Sequence, residues 1–183
     1  MNTIVIATTP GREGWLSQCL KSIGDRRVVV LSDYSFELGK IRWMFENTCC
    51  DRWMLLQDSV VIKDQSFFDK AFAYPKSVAV STCPTKFGMY LGIYHRDTLA
   101  AIGIPEISTK EEAIYHEMHW SNKYCRAEDV PVMFTDFTDH NNKGVVNLFD
   151  RPNLVLENEY LIKYKGTWSS HVRADVNPRL KKV

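Results

Sequence analysis

Apolar residues follow two alternating rhythms along the first half of this chain. "TIVIAT" (3–8) is a β-branched run that stops at Thr-Pro-Gly, the pattern of a strand followed by a turn. In "EGWLSQCLKSI" (13–23), Trp15 or Leu16, Cys19 or Leu20, and Ile23 recur at helical spacing, and Gly24-Asp25 closes the segment. "RVVVLS" (27–32) predicts a second strand. "FELGKIRWMFENTC" (36–49) predicts a second helix, with Leu38, Ile41, Phe45 and Thr48 on one stripe. "RWMLL" (52–56) has almost no polar alternation, so it predicts a third strand covered on both faces.

Strand and helix alternating at this spacing predict parallel strands joined by right-handed crossovers. The expected class is therefore α/β, Rossmann-like, with a mostly parallel central sheet flanked by helices. In such sheets ligands sit at the carboxyl ends of the strands. Those ends carry Thr8-Thr9-Pro10-Gly11-Arg12, then Ser32-Asp33-Tyr34, then Gln57-Asp58-Ser59. Asp58 interrupts the apolar run "WMLLQDSVVI" (53–62). A buried carboxylate without a partner is costly, so either the strand ends there or the acid has a task.

The second half is more mixed. "SFFDKAFAY" (66–74) predicts a short helix and "SVAVSTC" (77–83) a strand. "KFGMYLGIYHRDTLAAIG" (86–103) reads as a strand and then a helix from about Arg96-Asp97. "STKEEAIYHEMHWSNKY" (108–124) opens with hydroxyl and acidic residues, a good helix start, and "VPVMFTDF" (130–137) reads as another strand. From His140 onward the chain reads as loop.

Composition narrows the class of protein. With 183 residues, 45% hydrophobic and 25% charged, the chain has enough apolar side chain for a folded core. A net charge of +1 gives no bulk attraction to nucleic acid or membrane. Arg173, Arg179, Lys181 and Lys182 cluster near the end, and a solvated tail is the simpler reading of them. Five cysteines without a framework spacing, no signal-like start and no apolar run near the ~20 residues of a membrane span point to a reduced, cytoplasmic protein.

Several motifs have a bland reading beside a functional one. "TTPGREG" lacks the spacing of a Walker loop and of a dinucleotide fingerprint, so a Pro-Gly turn accounts for it equally well. Asp33 suits a ribose or base donor, or an Asx-turn or N-cap. Lys40 and Arg42 near a helix N-terminus oppose the macrodipole, which makes them candidate phosphate partners. His116 and His119 in "YHEMHW" (115–120) share a helix face but lack the spacing of a zinc protease. Taken alone, Glu117 and His140 each read more simply as surface residues.

Taken in order, these features resemble a family. "GKIRWMFENTCCDRWMLLQDSVV" is similar to the segment of GT-A-fold glycosyltransferases, family-2-like members above all, that leads into their Asp-x-Asp motif. The opening strand running into Thr-x-x-x-Arg, and the second strand ending in Asp, are similar too. The likeness is close over about 3–65 and loose over 86–140. It implies one GT-A-like domain over 1–183, with a nucleotide-binding half at about 1–85, an acceptor half at about 86–150 and a C-terminal extension at 151–183.

The resemblance implies Thr8, Thr9, Pro10, Arg12 and Asp33 around the donor's base and ribose, with Lys40 and Arg42 approaching the same pocket. It implies a divalent metal, manganese or magnesium, bridging the diphosphate at Asp58, with His140 as a further ligand. Here the motif is Gln57-Asp58-Ser59, so one carboxylate stands where the family commonly has two. Gln57 and Ser59 would supply neutral oxygens to a less charged site. Glu117, with Trp120 after it, matches the family's acceptor base, and Glu112 is second to it. A carboxylate base suits direct displacement with inversion.

The expected activity is transfer of a sugar from a nucleotide-diphosphate donor to an acceptor hydroxyl. The acceptor, a glycan, a protein or a nucleic-acid base, stays open, as does self-association. Two alternatives stand beside it: a degenerate module that binds a nucleotide or glycan without turnover, and a nucleotidyltransferase.

Overall fold

The computed structural model describes residues 2–83, 86, 87, 91–138 and 154–164. Strand β1 (Thr3–Thr8) leads through helix α1 (Glu13–Ile23) to β2 (Val28–Ser32), and helix α2 (Phe36–Asn47) leads on to β3 (Arg52–Gln57). These are the elements that the apolar spacing predicts. Beyond β3 come β4 (Val60–Ile62), α3 (Ser66–Phe72), β5 (Val78–Cys83), β6 (Lys86–Phe87) and β7 (Gly92–His95). Helices α4 (Arg96–Ile102) and α5 (Lys110–Glu128) then precede β8 (Val132–Thr138), β9 (Leu154–Glu157) and β10 (Leu161–Tyr164).

The main sheet has seven strands in the order β2-β1-β3-β7-β5-β6, with β8 also paired to β5. It is mostly parallel: β1 runs with β2 and β3, and β5 runs with β8, while β7 is reversed between β3 and β5. The α/β class with a mostly parallel sheet is thus observed. The central strand ends at Gln57, at the polar interruption, and Val60–Ile62 starts a separate sheet, β4-β10-β9. One expectation fails. Part of the region read as loop forms β9 and β10, because Leu161 and Lys163 face inward at alternate positions and pair with β4.

Both faces of the sheet are covered, which explains the near-continuous apolar strands. Ile4 and Ile6 of β1 and Met54 and Leu56 of β3 pack with Cys19 and Ile23 of α1, with α3 and with the small sheet. Val5, Ala7, Trp53 and Leu55 point the other way, against Leu38, Ile41 and Met44 of α2 and Trp120 and Tyr124 of α5. Helix α1 therefore lies on one face and α2 on the other. In α2 the buried position is Met44 and not Phe45, which sits half-buried under the Arg96 guanidinium at 4.9 Å. Arg96 also donates to the carbonyls of Met44, Phe45, Thr48 and Cys50, so a neighbouring helix supplies the cation that the last turn of α2 lacks.

The reversed strand depends on one residue without a side chain. A Cβ on Gly92 would come within 2.5 Å of the Val78 carbonyl oxygen, backbone that cannot step aside. Gly92→Ala is expected to lower the free energy of unfolding by about 1–3 kcal/mol through overpacking, read from urea denaturation.

Candidate functional site

Strand order and helix placement give the position at which open α/β sheets bind their ligands. From β1 the chain crosses over α1 to β2 on one side, then returns over α2 to β3 on the other. With the two crossovers on opposite faces, the carboxyl ends of β1 and β3 flank the point where the winding reverses, the usual ligand crevice of an open α/β sheet. The opposite, amino-terminal edge has a shallow depression lined by Asn2, Ile4, Arg26, Arg27 and Phe72. It brings two arginines but no acid or nucleophile together.

At the crevice, three of the expected residues meet. Asp58 directly follows β3, and its amide extends the pairing to Ala7 of β1 at 3.1 Å. The residue is 2% exposed. Thr8 at the end of β1 donates to Oδ2 from 2.6 Å, and Arg12 donates to the same oxygen through Nε from 2.5 Å and to Oδ1 through its terminal nitrogen. This two-pronged pairing of guanidinium and carboxylate is what makes burial of the acid tolerable. The turn before it aims Arg12: Gly11 takes φ 85°, and Arg12 stands just outside the first turn of α1 with its side chain folded back over the strands. Thr9 is half-buried and Pro10 exposed in the same turn.

The residues beside Asp58 are engaged as well. Gln57 donates its amide to the Glu37 carboxylate on the α2 face, and its backbone carbonyl accepts from the Cys19 thiol at 3.8 Å on the other face. Burial pushes the Cys19 thiol up to about 12, with the nearby Asp58 charge adding to the effect and Lys163 opposing it. Ser59 accepts from the Lys163 ammonium at 2.6 Å, and its carbonyl accepts the Tyr164 amide at 2.9 Å. The small sheet thus delivers a buried cation to the end of β3.

A second cluster lies across β1, at the end of β2. Asp33 accepts the Ser35 amide at 2.7 Å and the Ser35 hydroxyl, an Asx-turn. Lys40, 2% exposed, donates to Asp33 Oδ1 at 3.1 Å and to the carbonyls of Asp33 and Phe36 at 3.2 and 3.3 Å. Phe36 adopts φ 59°, a left-handed conformation costly for a bulky residue. Gly39 is required because a Cβ there would collide with the Ser35 side chain. Burial works against ionisation of Asp33, but the Ser35 hydroxyl, the Ser35 amide and the Lys40 ammonium together outweigh it and hold its pKa below the ordinary carboxylate value.

The other expected residues go elsewhere. Arg42 does not join Lys40 at Asp33; it binds Glu106 at 2.8 Å and the Ile104 carbonyl at 2.5 Å, tying α2 to the segment before α5. Glu117 is exposed on α5, and its charge, like that of Glu37, bears on buried Tyr94. Glu112 is committed to a capping box with Thr109 and accepts the Ser108 and Thr109 amides at 2.8 and 3.1 Å. Tyr115 packs on His116 and His119 with ring centroids 5.1 and 4.3 Å apart. His140 and the cationic cluster Arg173, Arg179, Lys181 and Lys182 lie outside the described residues.

Two participants escape the sequence. No sequence pattern singles out Glu37, and Lys163 falls in a stretch read as loop, although the alternation in "LIKY" is a strand signal. The donor set also bears on the metal that the family resemblance implies. Both oxygens of Asp58 face donor hydrogens, and a guanidinium occupies the space a cation would take. Among the described residues no group of three His, Cys, Asp or Glu side chains is placed to hold a metal ion. The described residues around Asp58 do not fit a divalent cation.

Two outcomes follow from these contacts. Arg12→Ala leaves Asp58 buried without its forked partner, so it is expected to cost about 3–5 kcal/mol in urea denaturation, while Arg12→Met combined with Asp58→Leu costs less than the sum of the single changes. The Asp33 pKa is lower folded than unfolded, so its contribution to stability is complete above the ordinary carboxylate range of about 3.9 and is lost as pH falls through the folded value. Unfolding measured from pH 6 down to about pH 3 is expected to show a shallower acid slope in Asp33→Asn than in the parent chain. Compared with protein-family models, curated protein sequences and solved structures, the chain matches none, and what the crevice does has to be read from its own geometry.

Proposed function

We propose that this chain is a GT-A-like glycosyltransferase that moves a sugar from a nucleotide-diphosphate donor to an acceptor hydroxyl. The observation that carries this reading is the convergence of Thr8, Arg12 and Asp58 at the point where the winding of the sheet reverses, with the built Asp33 loop on the other side of β1. One flank offers a fixed carboxylate and backbone carbonyls for the hydroxyl and N–H donors of a nucleoside. The other offers a guanidinium where a diphosphate would lie.

In this reading Asp33, with Thr9 and Pro10, receives the base and ribose, and Arg12, held by Asp58, faces the diphosphate. Glu117 on α5, which makes none of the contacts described at the crevice, is the base that the family resemblance implies for the proton of the acceptor hydroxyl. The acceptor oxygen bonds to the anomeric carbon as the bond from that carbon to the diphosphate breaks, so the sugar inverts and the nucleoside diphosphate leaves. A second reading, a module that binds a nucleotide or glycan without turnover, is favoured by the closed state of Asp58, whose oxygens already serve Arg12 and Thr8.

A thermal-shift screen of nucleotide sugars, followed by donor hydrolysis, separates these readings. At least one donor is expected to raise the Tm and to be hydrolysed. Glu117→Ala, an exposed position, is expected to keep the Tm and to lose about 10²-fold in hydrolysis rate. Binding without hydrolysis selects the second reading. Unchanged hydrolysis in Glu117→Ala removes that residue from the mechanism, and no shift from any donor removes both readings.

A further inference from the structure

We infer that the crevice supplies its compensating positive charge from its own side chains, Arg12 and Lys163, and takes a diphosphate without a divalent cation. The inference rests on the reading of a diphosphate donor, and it differs from that reading's family expectation of a metal-bearing carboxylate.

Each residue of Gln57-Asp58-Ser59 that would ligate a metal has another partner. Asp58 accepts Thr8 and both prongs of Arg12. Ser59 accepts the Lys163 ammonium at 2.6 Å. The Gln57 side chain is turned to Glu37, away from the face on which Cys19 touches the Gln57 carbonyl. A divalent ion coordinated by Asp58 or Ser59 would stand within a few ångströms of a guanidinium or an ammonium, and the repulsion acts in a poorly solvated place where screening is weak.

The same arrangement suits an anion. Arg12 and Lys163 are 8% and 5% exposed, and against the single Asp58 carboxylate they leave one net positive charge in low dielectric at the ends of β1 and β3, where a field is focused outward and not dissipated in water. Both are fixed. Arg12 is oriented by the forked pair with Asp58, and Lys163 is held by the Ser59 hydroxyl and the Tyr164 carbonyl at 2.9 Å, with Lys163 opposite Val60 in the ladder of the small sheet. The single carboxylate of this motif is thereby a positioning residue for Arg12, and its missing acidic neighbours are consistent with a site that has no metal to hold.

The test uses the full chain, with manganese alone and inorganic pyrophosphate as probes. With protein in excess, the electron paramagnetic resonance signal of free Mn(II) is expected to keep its full amplitude. Pyrophosphate in EDTA is expected to raise the Tm as much as pyrophosphate with manganese does. Lys163→Gln, shown folded by circular dichroism, is expected to weaken pyrophosphate binding about tenfold or more, because it removes the net positive charge of the cluster. Loss of the Mn(II) signal in proportion to protein, reversed by Asp58→Asn, overturns the inference, as does a pyrophosphate shift that requires manganese or no shift at all. Pyrophosphate binding in EDTA without a shift from any nucleotide sugar leaves this inference standing and removes the proposed donor.

Discussion

A carboxylate placed at the end of a central, doubly covered strand must be matched, and Asp58 is matched by Arg12. Desolvating each ion costs several kcal/mol, so the pair is tolerable only with forked geometry and the extra hydrogen bond from Thr8. That requirement dictates the path of the chain above the sheet. Gly11 turns with positive φ, Arg12 stays outside the helical conformation, and its side chain folds back across the ends of β1 and β3. The loop entering α1 is thus pinned to a strand some 46 residues away in sequence.

The Asp33 loop solves a different problem on the other side of β1. Its acid is about half exposed, so the ion pair with Lys40 is worth less than the buried one and is weakened further by water and salt. Rigidity comes instead from several small devices acting together. The Asx-turn, the Lys40 ammonium on two carbonyls and the close approach of Gly39 to Ser35 hold Phe36 in a conformation that costs roughly 1–3 kcal/mol. One flank of the crevice is locked by a buried charge pair and the other by backbone packing. Salt therefore weakens the half-exposed pair at Asp33 more than the buried pair at Asp58.

The sheet was legible where its physics is local. β-Branched runs and helical spacing locate β1, α1, β2, α2 and β3 within a residue or two, and the alternation of strand and helix predicts their parallel pairing. The rule that ligands gather at carboxyl ends picks out Thr8, Arg12, Asp33 and Asp58 before any coordinates. Partner identity was not legible, because it depends on side chains brought from far along the chain. Nothing local says that Arg12 closes on Asp58, that Arg42 turns to Glu106, or that Gln57 meets Glu37. Lys40 looked like a cation misplaced against the helix dipole; it is buried because two carbonyls and a carboxylate converge on it. β10 was missed because its four residues carry only two inward apolar or amphipathic positions, too few to stand out from a loop.

The small sheet has a consequence for the order in which the crevice is assembled. β4 emerges directly after Ser59, yet its partner β10 lies about a hundred residues later, as the Lys163-to-Ser59 separation of 104 shows. A pairing that far apart carries a large loop-closure entropy and forms slowly relative to the local β1-α1-β2 unit. During synthesis the carboxyl ends of β1 and β3 are therefore made long before Lys163 exists to reach Ser59. Until then Val60 and Ile62 present an uncovered strand edge, and the half-built crevice is open to wrong partners.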